Sequence, residues 1–374
     1  MSRVAAPVYL DHAATTPMRP EAVSAMLPFL TDNFGNPSGA HGMARAARGA
    51  IEDAREVVAA ELGCDPAEIV FTGGGTEADN LAIAGAPEGR RLCSAVEHHA
   101  VLRPVEHGGG TTLSVDENGV VDLDALRGAL RADDALVSVM LANNETGVVQ
   151  PIDTIAEVVR SVAPGALVHT DAVAGFTWID VASATAAADL VSVSAHKFGG
   201  PKGVGALVVR GETKLAPLLL GGGQERERRS GTHNVAGIVA MAAAAAAAGR
   251  DRAATVARVA TLRDRLAEAV VGATPGVTVT AAEATRTAGT LHLQVAGVES
   301  ESLVIVLDDL GVCASAGSAC ASGALETSHV LAAMGVGAGS GALRLSLGWT
   351  TSQADVAAAA VAIPKAIEVL RSRA

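Results

Sequence analysis

The stretch Ile69-Val70-Phe71-Thr72-Gly73-Gly74-Gly75-Thr76 runs from a short apolar strand through a glycine turn into a helix-forming segment. The same alternation extends on both sides, from about residue 52 to residue 210. Strands are expected at 69–72, 91–96, 136–141, 167–170, 190–194 and 206–209. Helices are expected at 42–62, 76–84, 123–130, 152–162 and 235–247. Strands alternating with helices predict an α/β fold, a mainly parallel sheet covered by helices.

Past Arg250 the pattern changes. A helix over 253–271 precedes strands near 277–280 and 290–295, a helix over 300–310, and a loop of small residues from Ala314 to Ala324. A strand at 343–347 leads into a last helix, with Ser352 and Asp355 spaced as a capping box at its start and Pro364 as an expected kink. This half reads as a smaller α+β domain, with the boundary near residue 250. A length of 374 residues also suggests two domains at roughly 150 residues each.

Composition excludes several roles. The net charge is −12, from 28 basic and 40 acidic residues. That disfavours a protein whose work is gripping nucleic-acid phosphate, or one that binds an anionic membrane surface. Five Phe, two Trp and one Tyr are too few for a base-stacking surface. Hydrophobic residues make up 49 % of the chain, enough for a large core built from Ala, Val and Leu. Four cysteines are no disulfide framework at this length. Residues 1–10 lack a secretory pattern, and the longest apolar run, 235–248, is too short for a membrane span. A cytoplasmic, reducing setting is expected.

In doubly wound sheets, ligands bind beyond the carboxyl ends of the strands. After 69–72 come Gly73 to Thr76, opening a helix whose N-terminus favours an anion. After the next strands come Glu97-His98-His99, Asn143-Asn144-Glu145, Asp171, and His196-Lys197. Five polar clusters beyond five strands imply one cleft. A metal site built on His98, Asp171 and His196 is one reading, although the spacing matches no local metal pattern. The other is pyridoxal phosphate, with a Schiff-base lysine and an Asp on the pyridinium nitrogen. Lys197 lies nearer the strand end than its competitor Lys202. In Leu343-Arg344-Leu345-Ser346-Leu347 the leucines share one face, leaving Arg344 on the other.

Six stretches together resemble one family: Leu10-Asp11-His12-Ala13-Ala14-Thr15-Thr16-Pro17, Phe34-Gly35-Asn36-Pro37-Ser38, Ala142-Asn143-Asn144-Glu145-Thr146-Gly147, Ser194-Ala195-His196-Lys197, Arg229-Ser230-Gly231-Thr232 and Ser315-Ala316-Gly317-Ser318-Ala319-Cys320. They are similar to those of the cysteine desulfurases of the iron–sulfur-assembly and nitrogen-fixation type. These are class V, fold-type-I pyridoxal-phosphate enzymes, and the resemblance spans nearly the whole chain. It implies a large cofactor domain with a mainly parallel seven-stranded sheet (residues 15–250). It also implies a small α+β domain (1–14 and 251–374) carrying the loop of the catalytic cysteine.

By this resemblance Lys197 carries the cofactor as a Schiff base and Asp171 pairs with its ring nitrogen. His98 stacks on the ring and moves protons. Gly75, Thr76, Ser194 and His196 hold the phosphate, and Thr232 reaches the phosphate of the neighbouring subunit of a homodimer. Arg344 binds the substrate carboxylate with Asn36 and Asn144, and Asn144 also borders the cofactor. Cys320 attacks the sulfur of L-cysteine, keeps it as a persulfide, and passes it to an acceptor protein or small molecule while L-alanine leaves. No resident metal is implied, only transient contact of Cys320 with iron–sulfur clusters. The acceptor could serve iron–sulfur clusters, tRNA, a cofactor or DNA sulfur modification, with no direct nucleic-acid contact by this acidic chain. A free thiol titrates near about 8.5, so Cys320 needs a proton acceptor such as His98 or the substrate.

The sequence departs from the family at Ala174, where a Gln usually hydrogen-bonds the cofactor's phenolic oxygen. Asn144 or a water is expected to substitute. Cys313 reads as a small core residue or a resolving thiol, and Cys64 and Cys93 as inert. His99, His107, His169 and His292 carry no assigned role. Two rival functions stand beside the desulfurase: a selenocysteine lyase or cysteine sulfinate desulfinase of the same fold, and a non-catalytic sulfur-carrier scaffold.

Overall fold

A computed structural model describes residues 7–317, 328–337 and 340–372. Cys320 lies outside the described residues, as does most of the small-residue loop expected at 314–324.

The chain opens with β1 (Val8–Tyr9), then α1 (Pro20–Leu30) and α2 (Gly42–Leu62). The central sheet follows: β2 (Ile69–Thr72), β3 (Arg90–Ser94), β4 (Thr111–Leu113), β5 (Asp134–Ser138), β6 (Leu167–Asp171), β7 (Leu190–Ser194) and β8 (Gly205–Val209). Between these strands lie α3 (Gly75–Gly85), α4 (His99–His107), α5 (Leu123–Ala129), α6 (Ile152–Val162) and α7 (Val181–Ala184). The spatial order is β2-β8-β7-β6-β5-β3-β4. β8 runs antiparallel to both β2 and β7, and the other pairings are parallel. Central strands are buried along their length, which is why they read as continuous apolar runs rather than alternating ones.

The expected seventh strand is β4, too short and too polar to announce itself. The strands expected at 91–96 and 136–141 are Arg90–Ser94 and Asp134–Ser138, because buried apolar residues such as Val96, Val139 and Leu141 continue beyond the ladder.

The two helices expected at 235–247 and 253–271 are one, α8 (Val235–Ala273), of 39 residues and roughly 58 Å at 1.5 Å per residue. Gly249-Arg250-Asp251 does not break it. A Cβ on Gly249 would strike the Glu61 carboxylate, and Asp251 receives a salt bridge from buried Arg19 at 3.0 Å. Tertiary contacts thus hold the helix where local sequence suggests a stop.

Beyond α8, β9 (Val277–Val279), β10 (Thr290–Ala296) and β12 (Ser340–Ser346) form an antiparallel sheet in the order β12-β10-β9. β11 (Val312–Cys313) pairs in parallel with β1. The helices here are α9 (Ser300–Asp309), α10 (His329–Ala333) and α11 (Gln353–Arg371). The Ser352–Asp355 capping box is present at the start of α11, and the helix continues through Pro364.

The largest apolar cluster draws only on residues 22 to 248. A second joins Leu10 to residues between Val259 and Ile367. Phe176 and Phe198 stack at 4.1 Å within the first.

Candidate active site

The carboxyl ends of β2, β3, β5, β6 and β7 open onto one cavity of about 320 Å³. Of the residues singled out from sequence, Gly75, Thr76, His98, Asn144, Asp171, Ser194, His196, Lys197 and Arg344 all line it.

One end is built for an anion. The N-terminus of α3 faces it, and Gly74, at φ +147°, makes the turn. A Cβ on Gly75 would lie 2.9 Å from Val173 and 3.3 Å from Ser194, so only glycine lets the backbone approach so closely. His196 bonds Thr15 through Nδ1 at 3.2 Å. Burial, then Lys197 and Lys202, depresses His196 to about 4. It is therefore neutral, a hydrogen-bonding group rather than a cation.

At the floor, Asp171 ends β6, is 4 % exposed and accepts the Val173 N–H at 2.8 Å. Burial lifts it to about 6. Asp79 and Glu97 are buried beneath it, and both are also pushed up by burial and by Asp171. Asp79 Oδ1 and Glu97 Oε2 have no hydrogen-bond partner among the described residues. Sequence reasoning assigned neither a role. The available signal for Asp79 was its position three residues after Thr76, on the same face of α3.

Lys197 follows β7 in a 3-10 turn. Its Nζ donates to the carbonyls of Ala13 and of Ala14, the latter at 3.1 Å. The N-terminal motif is thus a wall of the cavity. Tyr9 holds that wall by donating to the carbonyls of Asp11 and Thr15.

His98 is the N-cap of α4, its Nδ1 accepting the Ala100 N–H at 3.1 Å. The neutral ring therefore carries its proton on Nε2. Burial, then Lys197 and His329, lowers its pKa. His99, unassigned from sequence, also lines the cavity and lies 4.6 Å from the His329 ring.

Arg344 comes from β12 and is 2 % exposed. Its guanidinium donates to Asp11 Oδ1 at 2.9 Å and to the carbonyls of Asn144 at 3.2 Å and Gly317 at 3.3 Å. Gly317 sits at φ +98°, 3.3 Å from the Glu145 carboxylate by its would-be Cβ.

Asn36 and Thr232 do not line this cavity. Asn36 is exposed in the turn before α2, where its side chain accepts the Ser38 N–H at 3.0 Å. Thr232 is exposed at the end of a strained loop, in which Glu225, Arg226 and Glu227 have φ of +48°, +56° and +66°. Left-handed non-glycine residues cost about 1–2 kcal/mol each. Among the other thiols, burial pushes Cys64 up to about 12 and raises Cys93 and Cys313, so none is an activated nucleophile. Among the described residues, no group of three His, Cys, Asp or Glu is arranged to hold a metal ion, and no helix is long and apolar enough to cross a membrane.

The cavity fits a phosphorylated pyridine aldehyde. It offers a helix start suited to an anion at one end, a buried carboxylate at the floor with one unpartnered oxygen of Asp79 and one of Glu97 behind it, and a lysine between. Its volume is that of a small-ligand site.

Residues 8–358 match the family model described as aminotransferase class-V. The chain is 45 % identical to the IscS-like cysteine desulfurase of Mycobacterium tuberculosis, over 98 % of each chain. A solved NifS-like protein superposes with a TM-score of 0.89 at 34 % identity, covering 97 % of this chain and all of that one. The structure described as SspA in complex with cysteine gives a TM-score of 0.79 at 32 % identity, covering 91 % of this chain and 98 % of that one.

Proposed function

The chain belongs to the aminotransferase class-V family, and from that premise we propose that it is a pyridoxal-phosphate-dependent cysteine desulfurase. Its reaction converts L-cysteine to L-alanine and leaves the sulfur as a persulfide on Cys320. The observation that carries this reading is the convergence of Lys197, Asp171, His98, the α3 N-terminus and Arg344 on one cavity. Bound pyridoxal phosphate supplies an electron sink that labilises the substrate's α-proton and its carbon–sulfur bond.

The chain's residues supply the rest. Gly75, Thr76, Ser194 and His196 would hold the phosphate, and Asp171 would pair with the ring nitrogen. Arg344 grips the substrate carboxylate with two of its donors, bordered by Asn144. Lys197 would hold the cofactor, and its Nζ would move the substrate's α-proton. His98 keeps an N–H on Nε2 beside the reacting atoms. Cys320 attacks the substrate sulfur, so that a sulfur–sulfur bond forms as the carbon–sulfur bond breaks. The carbon that loses sulfur takes up a proton, which completes L-alanine. The persulfide sulfur then passes to an acceptor protein.

The proposed large domain is 15–250, and the proposed small domain is 1–14 with 251–374. Two apolar clusters that divide near residue 250 support this. The proposed assembly is a homodimer in a cytoplasmic, reducing setting. Phe34 at 73 % and Leu220 at 85 % exposure support an apolar contact between copies. Thr232 reaches the partner's phosphate site in this reading, and exposure of Gly73 and Thr76 in a single chain supports that.

The test is L-alanine release from L-cysteine, with Cys320→Ala beside the wild type. Alanine from the wild type alone is expected. Equal alanine from both removes Cys320 from the reaction and leaves a lyase.

A further inference from the structure

Glu225 stands at the start of the loop that ends in Thr232. Its side chain is 1 % exposed, and one carboxylate receives four hydrogen bonds. Arg55 donates to both oxygens, at 2.8 and 2.9 Å. The Phe71 N–H donates at 2.8 Å and His233 Nε2 at 2.7 Å. The carboxylate is thereby tied to α2, to β2 and to the residue following Thr232. Burial alone would raise its pKa, but His233 and Arg55 hold it down to about 2.

The three residues from Glu225 to Glu227 are all left-handed. Glycines 221 to 223 lie just upstream, yet the strained run falls on Glu, Arg and Glu. A conformation placed on residues that resist it persists only when surrounding contacts impose it. The buried contacts among them are those to Glu225; beside them Arg226 donates to the Ala67 carbonyl at 3.2 Å and the Glu227 N–H to the Gln224 carbonyl at 3.0 Å, both on the exposed side of the loop. The rest of the loop is closed by Gln224, which accepts the Gly231 N–H at 2.8 Å, and by Ser230, which accepts that of Gly223 at 3.3 Å. Arg229 pairs with Glu77 of α3 at 2.7 Å. Thr232 is left exposed between fixed neighbours.

We propose that Glu225 is a positioning residue for cofactor binding in the neighbouring copy, forcing the left-handed run and so presenting Thr232 to the partner's phosphate site. This rests on the proposed role of Thr232. Glu225 itself touches neither substrate nor cofactor.

The experiment reconstitutes cofactor-stripped dimer with pyridoxal phosphate and reads the dissociation constant, with mass by light scattering. Thr232→Ala and Glu225→Gln are each expected to weaken binding about tenfold, the loss of one hydrogen bond to a charged group, with the dimer intact. The double variant is expected to be no weaker than either single one. Adding Arg226→Gly and Glu227→Gly to Glu225→Gln is expected to recover affinity, because glycine adopts positive φ without the carboxylate's help. A merely structural role for Glu225 predicts no such recovery.

If Glu225→Gln does not fold, Glu227→Pro carries the test, since proline forbids positive φ at an exposed position. It is expected to give the same tenfold loss, and unchanged affinity overturns the proposal. An effect of Thr232→Ala without one of Glu225→Gln, additive losses, or no glycine recovery overturns the proposal alone. No effect of Thr232→Ala removes the premise, and the proposal falls with it.

Discussion

The Asp11 carboxylate lies 2.9 Å from the Arg344 guanidinium, across 333 positions of chain. One arm of the arginine is thus engaged before any substrate enters, and two carbonyls take another. Only a planar group with five donors can satisfy these partners and still bind a carboxylate. Arg344→Lys is expected to raise the KM for L-cysteine by about tenfold or more, with a smaller change in kcat. Steady-state kinetics decide it, and an unchanged KM places the substrate carboxylate elsewhere.

Ala174 borders both the main cavity and a side pocket of about 40 Å³, which Asn144 and Lys197 also line. That space is large enough for a water. Ala174→Gln is expected to place an amide there and tighten cofactor binding by about tenfold, as a hydrogen bond to a charged oxygen does. The pH midpoint of the visible band should shift with it. If neither changes, an existing donor already serves that oxygen.

Asp171 must be ionised to pair with a protonated ring nitrogen, and burial lifts it to about 6. Above that pH it is ready to bind; below it, a proton must first leave. Cofactor affinity is expected to fall about tenfold per pH unit below pH 6. In Asp171→Asn the affinity should be lower throughout, without that acid limb. Equilibrium titrations at several pH values test this.

Burial depresses His12 and His292 to about 4 and His169 to about 3. Each is neutral when folded and takes a proton near 6.5 when unfolded. Their contribution is complete above pH 6.5 and is lost as pH falls towards 4. The expected slope is about 1.4 kcal/mol per pH unit for each such histidine. His169 accounts for one share, held between Ser138 Oγ at 2.8 Å and Ser192 Oγ at 3.0 Å. Denaturant unfolding between pH 7.5 and 5 should show the loss, with a shallower slope in a variant lacking His169.

The α/β alternation and the polar residue waiting at each strand end are written in residue order alone. An apolar run, a glycine turn and a lysine three residues past Ser194 at a strand end are local patterns, set by backbone sterics and burial within a few residues. Strands 69–72 and 190–194 and helices 42–62 and 152–162 were legible to their ends for that reason. The rest depends on the folded chain. The Asp11–Arg344 pair, the Ala13 and Ala14 carbonyls on Lys197, the acids under Asp171 and the left-handed turn at Glu225 all join distant segments. No periodicity encodes such contacts. They arise when packing removes water from around charges that must then find partners or change their protonation.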